Sequence, residues 1–334
     1  MSKYKLSICI PTYNRAEFIG ETIQSVIDAA EGINGIEIVI SDNASTDNTK
    51  NIVDSYKEFF PNITYFCWDK NMGADINFLK AIQIADGEFC WLMGSDDKIE
   101  KNGINIILKY LQDGLCGLSV NSQEYKLDLK EKIIKKPQVK QTENSIFINA
   151  DDCLISLGVY FGYMSAQIVN KKEWDKVVLD SNLHNYINLN GYIHMYIIGM
   201  MLKNNPNWIY IYDKCVGWRG ENDSIVMSEG RLKRLAVDVY GYEKIFNGLS
   251  YKKGSLVYDE TMKKLCSSHI WSAILGAKLE NMPLSFYKKA FKMCFNVYKQ
   301  FPIFWLKVFP LFLIPSKVML LIRVIYRKFF KKNV

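Results

Sequence analysis

Two adjacent carboxylates, Asp96 and Asp97, end the apolar run Trp91-Leu92-Met93-Gly94-Ser95-Asp96-Asp97. Side chains at the carboxyl end of a buried parallel strand project into the crevice where open α/β sheets take ligands, so this doublet is placed to hold a divalent cation against a phosphate. Ser and Asp also favour turns and helix N-caps, and that second reading stays open from these residues alone.

The elements that would position the doublet are legible on either side of it. Short β-branched or aromatic runs at 6–10, 36–40, 63–68 and 88–93 end in Pro, Asn, Asp or Gly and read as buried strands. Segments 17–30, 46–59 and 74–85 carry apolar residues at helical spacing, and Ser45 and Asp47 stand near an N-cap of the middle one. This alternation predicts an α/β fold, a mostly parallel sheet flanked by helices on both faces. A further strand is expected at 115–120, then a Lys-rich excursion at 126–140, a helical and aromatic stretch at 150–211 and a helical C-terminal region. The expected organisation is a catalytic domain at 1–225, a helical region at 226–300 and a basic tail at 301–334.

The net charge of +7 is uneven. Eleven Lys and Arg and no acid lie between Pro283 and Val334, which leaves the rest of the chain, by subtraction, at −4. Basicity confined to a tail gives no reason to expect a nucleic-acid partner. In the tail, Lys307, Pro310, Pro315, Lys317 and Arg323 interrupt the apolar clusters, so neither cluster supplies the roughly 20 apolar residues of a spanning helix. Trp305, Phe309 and Phe312 are expected to enter a bilayer interface while Lys307, Lys317, Arg323, Arg327 and Lys328 meet anionic headgroups. A buried terminal hairpin with a solvated basic face is the alternative. Eight cysteines without C-x-x-C spacing read as buried thiols in a reducing cytoplasm, and no secretory signal is expected at the start of the chain.

Four segments read together resemble a family 2 glycosyltransferase: Ile8-Cys9-Ile10-Pro11-Thr12-Tyr13-Asn14-Arg15, Ile40-Ser41-Asp42-Asn43-Ala44-Ser45-Thr46-Asp47, Asn71-Met72-Gly73 with Asn77, and Gly87 with Gly94-Ser95-Asp96-Asp97. Within the family the likeness is to abequosyltransferase-like enzymes of bacterial O-antigen assembly. The resemblance implies a fold of the glycosyltransferase A type, a nucleotide-sugar donor, and Mn²⁺ or Mg²⁺. It places Pro11, Thr12 and Tyr13 at the base and ribose, with Asn14 and Glu17 close by, and Asp42, beside Asn43, as a hydrogen-bond acceptor for the base. Asn71, Gly73, Asp75 and Asn77 would lie near the diphosphate or sugar. Asp96 and Asp97 would hold the metal.

The chain departs from the family pattern twice. Gly94 replaces the first acid of the metal motif, and a hydroxyl from Ser95 or a water would take its place. No carboxylate occurs in 190–196, where inverting members keep an acidic pair, and His194 is the side chain there suited to act as general base. A helix-packing histidine is the alternative, with Asp151, Asp175 and Asp223 as further candidates. Arg219, in a Gly-flanked loop, would cover the diphosphate or else pair with Glu221 or Asp223. The expected activity is transfer of a sugar, with inversion, to a hydroxyl of a lipid-linked glycan at the cytoplasmic face of a bacterial inner membrane, the enzyme being peripheral. A nucleotidyltransferase is disfavoured because 11–15 contains no glycine, whereas an inactive nucleotide-sugar-binding adaptor stays open.

Overall fold

A computed structural model describes residues 2–134, 138–179, 183–187 and 191–330, the side chains of 224 and 326–330 excepted. Asn190 and the basic cluster from Arg327 onward therefore lie outside the described side chains. The chain forms two compact units, 1–222 and 223–334.

In the first unit the chain runs β1 (Tyr4–Thr12), α1 (Ile19–Ala29), β2 (Ile36–Asp42), α2 (Thr49–Lys57), β3 (Ile63–Cys67), α3 (Ala74–Gln83) and β4 (Gly87–Leu92). It continues through β5 (Lys98–Ile99), α4 (Gly103–Leu108), β6 (Gly117–Tyr125), β7 (Ser145–Phe147), α5 (Ala150–Leu157), β8 (Gln167–Asn170), α6 (Lys171–Val178), α7 (Ile193–Asn204) and β9 (Trp208–Arg219). One nine-stranded sheet results, in the order β3-β2-β1-β4-β8-β6-β9-β5, with β7 also on β9. Strands β3, β2, β1 and β4 are parallel, and their β-branched runs are buried because helices cover such a sheet: Leu6, Ile8, Ile10, Ile38 and Ile40 have no exposure.

Beyond β4 the sheet turns mixed. β8 pairs antiparallel with β4 and with β6, while β6 and β9 run parallel. Two of these strands correct the expected helical stretch at 150–211. In β9, Trp208-Ile209-Tyr210-Ile211 is aromatic and β-branched, a composition that fits a pleated buried surface, and β8 is a four-residue strand held on both sides.

The second unit is helical. It consists of α8 (Ser224–Glu229), α9 (Arg231–Ala236), α10 (Tyr242–Gly248), α11 (Leu256–Leu265), α12 (Trp271–Leu279), α13 (Leu284–Tyr298), α14 (Phe309–Leu313) and α15 (Ser316–Phe330). The tail packs within this unit: the Phe291 ring on α13 lies 6.0 Å from that of Phe309 and 5.4 Å from that of Phe312. Those two rings, expected at a bilayer, are half-buried, whereas Leu306, Leu313, Leu321 and Val324 stand 59–77% exposed. No single helix among the described residues is long and apolar enough to cross a membrane; Phe304–Leu313 and Ser316–Ile325 pass that test only as a pair, bent by 104°.

Candidate active site

The strand register brings the motifs to one rim. Thr12 is opposite Asp42, Asp42 is opposite Cys67, and Cys9 is opposite Leu92, so β1, β2, β3 and β4 finish side by side. Pro11 and Thr12 close β1, and the Thr12 hydroxyl is buried with no hydrogen-bond partner among the described residues. A buried hydroxyl left unpaired is destabilising, so a ligand that satisfied it would gain the difference. Tyr13 is 43% exposed and Glu17 is exposed, beside that opening.

Most of the other residues assigned to the donor bind the rim together. Asn14, at φ 50°, donates its N–H to the Ser45 hydroxyl at 2.8 Å and accepts at Oδ1 from the Thr46 N–H at 2.8 Å. The Arg15 N–H donates to Thr49 Oγ1 at 3.1 Å and the Ala16 N–H to Asp47 Oδ2 at 2.9 Å, which completes a clasp between the loops after β1 and β2. Asp42 is 1% exposed and accepts from the Ser45 N–H at 2.8 Å and the Tyr65 hydroxyl at 2.6 Å. Each of its oxygens keeps a second lone pair. Asn43 donates to Asn71 Oδ1 at 2.9 Å and accepts from the Met72 N–H, while Asn71 also accepts from the Gly73 N–H. Gly73, at φ 87°, makes the sharp entry into α3 that a Cβ would strain.

Two positions correct the donor assignment. Asn77 is 3% exposed and joins β1 to β2, donating to the Ser41 and Thr12 carbonyls at 2.9 and 3.2 Å. Asp75, equally buried, accepts from the N–H groups of Gly191 and Ile193 at 2.9 and 3.1 Å, tying α3 to the start of α7. Both serve the scaffold of the rim.

The acidic doublet divides into two roles. Asp97 is 7% exposed, and its carboxylate accepts from the Ser165 hydroxyl at 2.5 Å, the Tyr163 hydroxyl at 3.1 Å and the Arg219 N–H at 3.0 Å. Its own carbonyl accepts from Thr22 Oγ1 at 2.7 Å. Burial, and then the neighbouring Asp96 charge, push its pKa up. A carboxylate so engaged fastens the loop and has less left to offer a metal than Asp96. Asp96 accepts from Asn222 Nδ2 at its Oδ2 at 2.6 Å, and its Oδ1 faces Gly94. Burial raises its pKa, opposed by the charges of Arg15 and Arg219. Mn²⁺ and Mg²⁺ are held by one or two carboxylates together with substrate phosphates and waters, so Asp96 alone fits such an ion. Among the described residues no three His, Cys, Asp or Glu side chains gather into a cage. Gly94 has a steric reason: a Cβ there would stand 3.1 Å from Asp97 Oδ2 and Ser165 Oγ and 3.2 Å from Asp96 Oδ1. Ser165, which accepts from the Gly94 N–H at 2.9 Å, occupies the space expected for a Ser95 hydroxyl, and Ser95 itself is buried.

His194 is corrected as the base. It has no exposure, donates Nε2–H to the Phe161 carbonyl at 2.9 Å, and burial lowers its pKa to about 4. It packs α7. Of the other candidates, Asp175 pairs with Lys171 at 2.7 Å, Asp151 lies in the first turn of α5 and Asp223 caps α8. Arg219 pairs with neither Glu221 nor Asp223. Its guanidinium donates to Glu21 at 2.5 Å, to the Asp96 carbonyl at 2.9 Å and to the Leu127 carbonyl, which leaves it bracing the Asp96 loop. Tyr163, Ser165 and Asn222 escaped the sequence reading because hydroxyls and amides far along the chain carry no local mark of a partner at 96 or 97. Glu21 stood in plain view as the acid of the first turn of α1.

Comparison with known proteins agrees with this geometry. The model of glycosyl transferase family 2 matches residues 7–169. The chain is 35% identical to abequosyltransferase RfbV of Salmonella typhimurium over 266 residues, covering 75% of this chain and 77% of that protein. It is 23% identical over 292 residues to a GalNAc(5)-diNAcBac-PP-undecaprenol β-1,3-glucosyltransferase of Campylobacter jejuni, covering 86% and 87%. The structure of Staphylococcus aureus TarS 1–349 in complex with UDP-GlcNAc superposes with a TM-score of 0.61 at 14% identity, covering 89% of this chain and 82% of TarS. The glycosyltransferase A-type sheet and these relatives agree, and the chain belongs to glycosyl transferase family 2, the nucleotide-sugar-dependent glycosyltransferases.

Proposed function

We propose that this enzyme moves a sugar, with inversion, from a nucleoside-diphosphate donor to a hydroxyl of a lipid-linked bacterial surface glycan such as an O-antigen or capsule. The observation that carries the reading is Asp96, a carboxylate with an oxygen to spare on the rim that Thr12 and Asp42 share. The relatives' names support the substrate class: an abequosyltransferase on one side, a glucosyltransferase named for a diphospho-undecaprenol glycan on the other.

In this mechanism the nucleoside lies against Thr12, Tyr13 and Asp42, and the diphosphate extends toward Asp96. Asp96 would hold Mn²⁺ or Mg²⁺, which would supply Lewis-acid neutralisation of charge on the departing diphosphate. Asp97, Arg219 and Asn222 fix the Asp96 loop, so its charge is aimed before the donor arrives. The acceptor comes from the membrane. Leu306, Leu313, Leu321 and Val324 are exposed alongside Lys307, Lys317 and Arg323, a surface suited to lying on anionic lipid at the cytoplasmic face.

The test is a thermal-shift screen of UDP, GDP, CDP and dTDP with and without Mn²⁺, followed by transfer assays on a lipid-linked acceptor. One nucleotide should raise Tm, and more so with the ion. Asp96→Asn should abolish the ion's increment and lower kcat by about a hundredfold or more. Near-normal transfer by Asp96→Asn removes the metal role, and a product that keeps the donor's anomeric configuration removes inversion.

A further inference from the structure

We propose that Arg15 grips the diphosphate of the donor, making it the cationic side chain of the site that is free to do so. This rests on the nucleotide-sugar reading above. The clasp between the first two loops fixes the Arg15 backbone through Thr49 Oγ1 at 3.1 Å and, one residue on, Asp47. The side chain then reaches over the Phe18 ring, with the guanidinium carbon 5.9 Å from its centroid. Arg219 lies over the same ring at 4.6 Å and donates to the Asp96 carbonyl at 2.9 Å, so both guanidiniums border the Asp96 loop.

The two arginines differ in what remains to them. Arg219 spends its guanidinium on Glu21, Leu127 and the Asp96 carbonyl, and it is 5% exposed. Arg15 is half-buried, its charge acts on Asp96, and among the described residues its guanidinium makes no hydrogen bond. A planar fork of five N–H donors in that condition matches phosphate oxygens. Asp96 alone cannot balance a donor diphosphate: a divalent cation on a single carboxylate carries one net positive charge against two negative ones. Arg15 provides the second.

The probe is whichever of UDP, GDP, CDP and dTDP the wild-type protein binds, measured by titration calorimetry beside its parent nucleoside, in Mn²⁺ and in EDTA. Arg15→Gln should weaken the diphosphate by about ten- to a hundredfold and leave the nucleoside within about twofold. Arg15→Lys should recover part of the loss, because an ammonium keeps the charge and gives up the fork. The weakening should persist in EDTA, which a role exerted only through an ion at Asp96 would not produce. If diphosphate and nucleoside weaken in parallel, or neither weakens, the assignment of Arg15 is overturned while the donor reading stands. If wild-type protein binds none of the four nucleotides, the donor reading itself falls.

Discussion

His194 shows how burial alone can set the behaviour of a titratable residue. With one N–H spent on the Phe161 carbonyl and the ring fully buried, the imidazolium is disfavoured, and the folded-state pKa of about 4 lies below the ordinary 6.5. The unfolded chain takes up the proton first, so this contribution is complete above pH 6.5, is lost as pH falls, and levels off below 4. Its size is on the order of 3 kcal/mol. Urea unfolding at pH 7 and pH 5 should therefore show a steeper loss of stability for wild type than for His194→Gln; equal losses would mean that His194 is not the group responsible. From the sequence a lone histidine in an aromatic segment admitted two roles, and only its depth decides between them. Asp96 and Asp97 are the converse case. Their type and place announced an ion, but which of them would be spent on Ser165, Tyr163 and the Arg219 N–H depended on residues 66 to 122 positions away.

Among the elements, the parallel set β3-β2-β1-β4 was legible because each strand is a short β-branched or aromatic apolar run, and the first three are each followed by a segment of helical period. β8 and β9 were not, since a strand of four residues between helices gives no period, and the partners of β9 are distant in sequence. The strands of the legible part are joined by side chains as well as by their ladder. Asn77 spans the ends of β1 and β2 through two carbonyls and accepts from the Ser41 hydroxyl at 2.7 Å. Asn77→Ala strands these buried groups and should lower unfolding stability by about 1–3 kcal/mol, seen as a lower urea midpoint at unchanged slope. It should also weaken nucleotide binding, because Thr12 and Asp42 lose their common brace. A midpoint within error of wild type would show that the asparagine is dispensable to the rim.

For the whole molecule the charge ledger of the chain becomes spatial. The first unit carries the acidic excess and the chemistry; the second carries every residue of the acid-free stretch from Pro283 onward, with exposed leucines among its lysines. Removing positive charge from this surface by Lys317→Gln with Arg323→Gln should reduce cosedimentation with phosphatidylglycerol vesicles by about thirtyfold, at on the order of 1 kcal/mol per residue. Neutral phosphatidylcholine vesicles should show no such change, and equal losses on both would point to apolar contact alone. The fastening of the Asp96 loop has a further consequence during synthesis. A nascent chain that has emerged only through α4 already holds the strands and helices of the nucleotide rim, yet Ser165, Arg219 and Asn222 have still to be added. The Asp96 loop is thus fastened only when the closing third of the first unit has been made.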